Sequence, residues 1–73
     1  MITSLEVEMH GTIDYILKKC IGLKETNKCT VYFKFNGVKF CLDATATYNK
    51  SDFHLRNYIL ETAKRQPENI VYL

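Results

Sequence analysis

Residues 29–44 read CTVYFKFNGVKFCLDA, and the rest of the chain is arranged around this segment. Asn36-Gly37 lies between two runs in which apolar and polar residues alternate, which is the strongest short-range indication of a β-hairpin with a two-residue turn. Such a turn pairs the apolar side chains on one face of the hairpin: Phe35 with Val38, Phe33 with Phe40, and Val31 with Leu42. A slip of one residue would mix the apolar and polar sets, so the pattern and the turn select the same register.

Length and composition are those of one small folded domain spanning residues 1–73. The chain is 47% hydrophobic and 25% charged with a net charge of +2, which is ordinary for a globular protein and neither demands nor excludes nucleic acid. A domain of this size buries only about 60% of its unfolded surface, so a dimer or a bound partner would add stability.

The cysteines and the hydropathy indicate a cytoplasmic protein with no membrane association. Cys20, Cys29 and Cys41 form no CxxC pair, and the N-terminus has no secretory signal, so we expect three reduced thiols. No stretch approaches the roughly 20 apolar residues that a membrane span requires.

The N-terminal half predicts a strand followed by a helix. Residues 2–9 alternate as a strand does, Gly11 ends the strand, and Thr12 can cap a helix. We expect Gly22 to end or fray this helix and residues 24–28 to form a polar loop. The apolar helix positions, spaced for one face, are Ile13, Ile16, Leu17, Cys20 and Ile21.

The C-terminal half predicts a second helix and a last strand. Residues 44–50 read as a loop, Asn49 or Ser51 can cap the helix, and Pro67 stops it. Residues 69–73 (NIVYL) are too apolar for a solvated terminus and predict a strand or an interface segment. The expected core stripe of this helix is Leu55, Tyr58, Ile59, Thr62 and Ala63.

The predicted element order is therefore βαββαβ, an α+β fold. With right-handed crossovers this order gives a ferredoxin-like antiparallel sheet, spatial order 4-1-3-2, with two helices on one face. Strands one and three would then be neighbours, so that Glu6 and Glu8 relieve the repulsion between Lys34 and Lys39 across the hairpin. If the last segment is not a strand, a three-stranded sheet with two helices remains.

Residues that could support catalysis or bind a metal have the wrong spacing. His10 and His54 form no metal-binding motif, and the glycines are isolated, so no phosphate loop is predicted. Cys41, on the polar face of the hairpin, is the most reactive thiol candidate, but no base accompanies it in sequence. We predict a non-catalytic protein without cofactor or metal, and keep a small enzyme that relies on Cys41 as a third hypothesis.

The surface pattern favours a binding protein. The leading hypothesis is a protein-interaction module, an inhibitor or adaptor, for which a homodimer is possible. The predicted binding residues are Tyr32, Lys34 and Lys39 on the open sheet face, with Tyr72 on the last strand. The residues that exceed what one small sheet can hide are Tyr15, Tyr48, Phe53, Tyr58, Leu60 and Tyr72.

The alternative hypothesis is a nucleic-acid-binding protein that uses the same face. Tyr32 interleaves with Lys34 and Lys39, as in several single-strand RNA binders, but Glu6 and Glu8 would repel phosphate there. A short chain without catalytic motifs is also typical of proteins encoded by phages and other mobile elements, which often block a host protein.

Overall fold

The computed structural model describes residues 4–48 and 53–73, so the proposed Asn49 or Ser51 cap lies outside the described residues. The element order is βαββαβ, and the fold class is α+β, as predicted. The elements are β1 (Ser4–Val7), α1 (Ile13–Asn27), β2 (Thr30–Phe35), β3 (Val38–Leu42), α2 (Phe53–Lys64) and β4 (Val71–Tyr72).

The hairpin formed by β2 and β3 has the predicted register. Phe33 lies opposite Phe40, and the two buried rings stack with their centroids 5.5 Å apart. Asn36 and Gly37 both have positive φ, 52° and 80°, which is the requirement of the turn that matches strand twist. The prediction of the hairpin is therefore confirmed at its turn and along its length.

The predicted strand order is wrong. The described strands form a mixed sheet in the order β1-β2-β3-β4, in which β1 is parallel to β2 and β3 is parallel to β4. The strand that follows each helix lies directly beside the strand that precedes that helix. In the ferredoxin-like order, a third strand would lie between these two. Apolar alternation cannot distinguish the two orders, because both bury the same faces of the strands.

The rule of right-handed crossovers, on which the predicted order depended, fails for one connection. Both helices contribute to one buried cluster on the apolar side of the sheet. Going from β1 to β2 and from β3 to β4, the chain moves in the same direction across the sheet. Strands β1 and β2, however, point opposite to β3 and β4. The crossovers therefore have opposite hands, and one belongs to the roughly 2% of such connections that are left-handed.

Helix α1 is longer than predicted. Thr12 caps it by accepting a hydrogen bond from the Tyr15 N–H (3.3 Å), and the whole predicted apolar stripe is buried. The helix continues through Gly22 to Asn27, and the C-cap residue Lys28 has a left-handed conformation. The predicted loop over residues 24–28 is wrong because Lys24 falls on the buried face and extends the stripe by another turn.

Helix α2 has a narrower buried face than predicted. Ile59 and Ala63 are buried, but Tyr58 is 53% exposed and does not belong to the core. Phe53, at the first turn, is 72% exposed. The helix contacts α1 through an ion pair between the Arg56 guanidinium and the Asp14 carboxylate (2.8 Å).

Candidate functional site: the open sheet face

The helices cover one side of the sheet, and the other side is the candidate site. Because side chains alternate along a strand, every second residue of each strand points to this side. We call this surface the open face. Its strand residues are Ser4, Glu6, Thr30, Tyr32, Lys34, Lys39, Cys41 and Tyr72.

Three residues of the open face form one cluster across three strands. The Lys39 ammonium lies 5.1 Å from the centroid of the Tyr32 ring and donates a hydrogen bond to Glu6 Oε1 (2.5 Å). This hydrogen bond lowers the pKa of the Glu6 carboxyl and raises the pKa of Lys39. Glu6 is therefore the acidic neighbour that was predicted to relieve the repulsion between the lysines. Because β1 lies beside β2 and not beside β3, the Lys39 side chain reaches across β2 to meet it.

A second group of open-face residues lies in a row across β2, β3 and β4. Cys41 pairs in register with Tyr32 on one side and with Tyr72 on the other. Tyr72 is 71% exposed, whereas Cys41 is only 4% exposed at the base of a depression of about 210 Å³. Burial raises the pKa of the Cys41 thiol more than its hydrogen bond with Tyr32 lowers it. The thiol is therefore held neutral, which does not favour the nucleophile that an enzyme would require.

Lys34 lies at the hairpin end of the open face, opposite Lys39 in register. It is exposed, and the ion pairs formed among the described residues do not include it. The four predicted binding residues thus share one surface. Tyr32 and Lys39 are in contact, Tyr72 lies beyond Cys41, and Lys34 provides an exposed positive charge at the margin.

A network that sequence reasoning missed holds the Tyr72 end of this surface. The Tyr48 hydroxyl accepts a hydrogen bond from the Asp43 N–H and donates one to the Leu73 carbonyl, each 2.8 Å long. The ammonium of buried Lys24 lies 5.5 Å from the Tyr48 ring and donates to the Ala46 carbonyl. The helical spacing of Lys24 from Cys20 and Ile21 is the signal that could have revealed its burial.

A concavity of about 500 Å³ lies where β1 and β2 separate beyond their paired residues. Its lining includes Glu8, Met9, His10, Lys34 and Phe35. No buried side-chain nitrogen or oxygen in the described part of the chain lacks a hydrogen-bond partner, so the cleft presents no unsatisfied buried group to a small ligand.

Comparisons of the chain with protein-family models, curated protein sequences and solved structures find no match. Within residues 4–48 and 53–73, no group of three or more His, Cys, Asp or Glu residues is arranged to hold a metal ion. Over the same ranges, neither helix combines the length and apolarity of a membrane span. Function must therefore be inferred from the surfaces themselves.

Proposed function

We propose that this chain is a non-catalytic protein-interaction module, an inhibitor or adaptor, that binds a partner protein through the open face. The observation that carries the proposal is Tyr72, which is 71% exposed on the strand that extends the face beyond Tyr32 and Cys41. An exposed tyrosine on a rigid sheet offers a large contact area at a small cost in side-chain entropy, and tyrosine is enriched at protein interfaces.

The charges on the open face support a protein as the partner. Lys39 is held by Glu6 and by the Tyr32 ring, so its position is set before binding. Lys34 adds an exposed positive charge, while Glu6 contributes a carboxylate whose side chain is 70% exposed. A surface with both signs of charge around aromatic rings suits the mixed polar surface of another protein.

The test is capture of a partner from a lysate of the source organism by wild-type and variant proteins. Tyr72→Ala is expected to weaken binding of the captured protein about tenfold, because truncating a tyrosine that anchors an interface costs at least about 1.4 kcal/mol. Tyr58→Ala is the matched control, since Tyr58 is similarly exposed but lies on α2. Retained binding by Tyr72→Ala, or equal loss with Tyr58→Ala, would contradict the proposal.

Charge reversal gives a second, independent comparison. Lys34→Glu is expected to reduce binding to the same protein, whereas Lys18→Glu, on the exposed side of α1, is expected to leave it unchanged. Sedimentation of the pure wild-type protein and of Tyr72→Ala shows whether a second copy occupies the Tyr72 end, which is the homodimeric form of the proposal.

The alternative is that the open face binds single-stranded nucleic acid, for which Tyr32 and Lys34 are the supporting residues. Against it, the Lys39 ammonium lies over the ring on which a base would stack, and Glu6 beside it repels phosphate. A gel-shift titration with a single-stranded RNA oligonucleotide at low salt decides the matter. Binding that weakens steeply with salt and is lost in Lys34→Glu would favour nucleic acid.

A further inference from the structure

We infer that the outer edge of β1 receives an extended segment of a partner protein as a fifth strand, in which basic and apolar side chains alternate. The inference rests on the proposed function in that the occupant is a protein. It assigns a different surface, the sheet edge, and a definite partner chemistry.

The first reason is the unpaired backbone of β1. This strand pairs with β2 on one side, and no strand of the described residues pairs with its other side. An edge strand directs the N–H and C=O groups of alternate residues outward, where another chain can bind them. The opposite edge is less suited to this pairing, because β4 has only the two residues Val71 and Tyr72.

The second reason is an apolar strip that the helices do not cover. Leu5, Val7 and Met9 point to the helix side but are only partly buried, whereas Val31 and Phe33, their neighbours on β2, are at most 2% exposed. Helix α1 packs mainly over β2 and β3, and the side chains of Leu5, Val7 and Met9 keep part of their surface exposed. Apolar side chains on every second residue of an added strand would cover this strip.

The third reason is charge. On the opposite side of this edge Ser4, Glu6 and Glu8 are exposed, and Glu6 already pairs with Lys39. The Glu8 carboxylate therefore favours an added strand that carries lysine or arginine there. A second copy of this chain fits poorly. In the antiparallel register that aligns Leu5 with Met9 of the other copy, Glu6 would face Glu8 and the carboxylates would repel each other.

The probe is a short synthetic peptide of alternating lysine and valine, titrated at low salt into the full-length, ¹⁵N-labelled protein. We expect amide shifts confined to residues 4–9 and slowed hydrogen exchange of outward-facing β1 amides. Glu8→Lys should weaken the peptide about fivefold, because an attraction becomes a repulsion. Glu68→Lys makes the same charge change between α2 and β4 and should leave the affinity unchanged.

Two control peptides separate strand pairing from general adhesion. A peptide N-methylated at alternate residues keeps its charges but loses backbone donors, and a peptide of alternating glutamate and valine reverses the charge; both should fail to bind. The inference is overturned if the lysine–valine peptide does not bind, if the N-methylated peptide binds equally, or if pure protein at neutral pH dimerises through β1.

The two proposals fail separately. Tyr72→Ala leaves the β1 edge intact and should bind the lysine–valine peptide as the wild type does. If the lysine–valine peptide binds but Tyr72→Ala captures the partner as the wild type does, the β1 edge site is kept and the open-face interface is rejected. If the peptide does not bind but Tyr72→Ala loses the partner, the open-face interface is kept and the β1 edge site is rejected.

Discussion

Two glycines of this chain have opposite conformational roles. Gly37 has a φ of 80° in the hairpin turn, a conformation that a side chain makes unfavourable. Gly22 lies inside α1, and a Cβ placed there meets no atom within 4 Å. The same substitution at the two positions should therefore change stability in opposite directions.

Gly37→Ala is expected to lower the free energy of unfolding by about 1–2 kcal/mol, because alanine must adopt positive φ. Gly22→Ala is expected to raise it by about 0.5–1 kcal/mol, because alanine restricts the unfolded chain and favours helix. Urea denaturation of both variants measures the difference. Equal effects would show that the turn does not impose this backbone conformation.

The Glu6–Lys39 pair makes part of the stability depend on pH. The pKa of Glu6 is lowered in the folded state, so its contribution is complete above its unfolded value of about 4.3 and is lost as pH falls through the lower folded value. The pKa of Lys39 is raised, so its contribution is complete below its unfolded value of about 10.4 and is lost as pH rises through the higher folded value.

Lys39→Met should return the pKa of Glu6 towards its ordinary value, because the main cause of the shift is the Lys39 hydrogen bond. Lys34→Met should move it less, since Lys34 contributes only a weaker charge interaction. Carboxyl NMR titration of Glu6 measures both effects. A larger change in Lys34→Met would contradict the geometry of the cluster.

Strand β4 is short and is held by contacts with other parts of the chain. It consists of Val71 and Tyr72 only. The next residue, Leu73, donates a backbone hydrogen bond from its N–H to the Cys41 carbonyl (3.0 Å). The Tyr48 hydroxyl joins the Leu73 carbonyl to the loop after β3. This attachment determines where the exposed Tyr72 ring stands on the open face.

Tyr48→Phe removes both hydrogen bonds of the hydroxyl while keeping the ring. We expect local opening of β4 to become easier by about 1–2 kcal/mol, seen as faster hydrogen exchange of the Leu73 amide. Tyr58→Phe is the control, because Tyr58 is exposed on α2. Unchanged exchange at Leu73 in Tyr48→Phe would mean that backbone pairing alone holds the strand.

At the scale of the whole molecule, stability depends on one small core. Phe33, Phe40 and Ile59 are at most 2% exposed and belong to a single cluster that joins the sheet to both helices. A domain of 73 residues has a free energy of unfolding of only about 5 kcal/mol. One large cavity in this cluster is therefore enough to remove most of the free energy of unfolding.

Phe40→Ala should cost about 3–5 kcal/mol and leave a free energy of unfolding of at most about 2 kcal/mol at 25 °C. Phe53→Ala removes the same ring from a residue that is 72% exposed and should change stability by less than about 0.5 kcal/mol. Near-ultraviolet circular dichroism and thermal unfolding of the two variants make the comparison. A Phe40→Ala variant that loses no more stability than Phe53→Ala would show that the hairpin face is not the centre of the core.

The features that depend on local periodicity and turn chemistry were predictable from the residue pattern alone. Asn36-Gly37 specified the hairpin, and alternation placed Phe33 and Phe40 on its buried face. The same alternation placed Tyr32, Lys34 and Lys39 together on the other face. These features follow from side-chain spacing, which a few neighbouring residues are sufficient to set.

The places of β1 and β4 beside the hairpin, and with them the edges of the sheet, depend on tertiary packing. Leu5 could have lain beside β3 and still have been buried on the same face, so the pattern could not select its contact with Val31 on β2. Lys24 and Tyr58 were placed wrongly for the same reason, since their burial depends on residues distant in the chain. Strand order is a choice between packings that bury similar apolar surface, and long-range contacts make that choice.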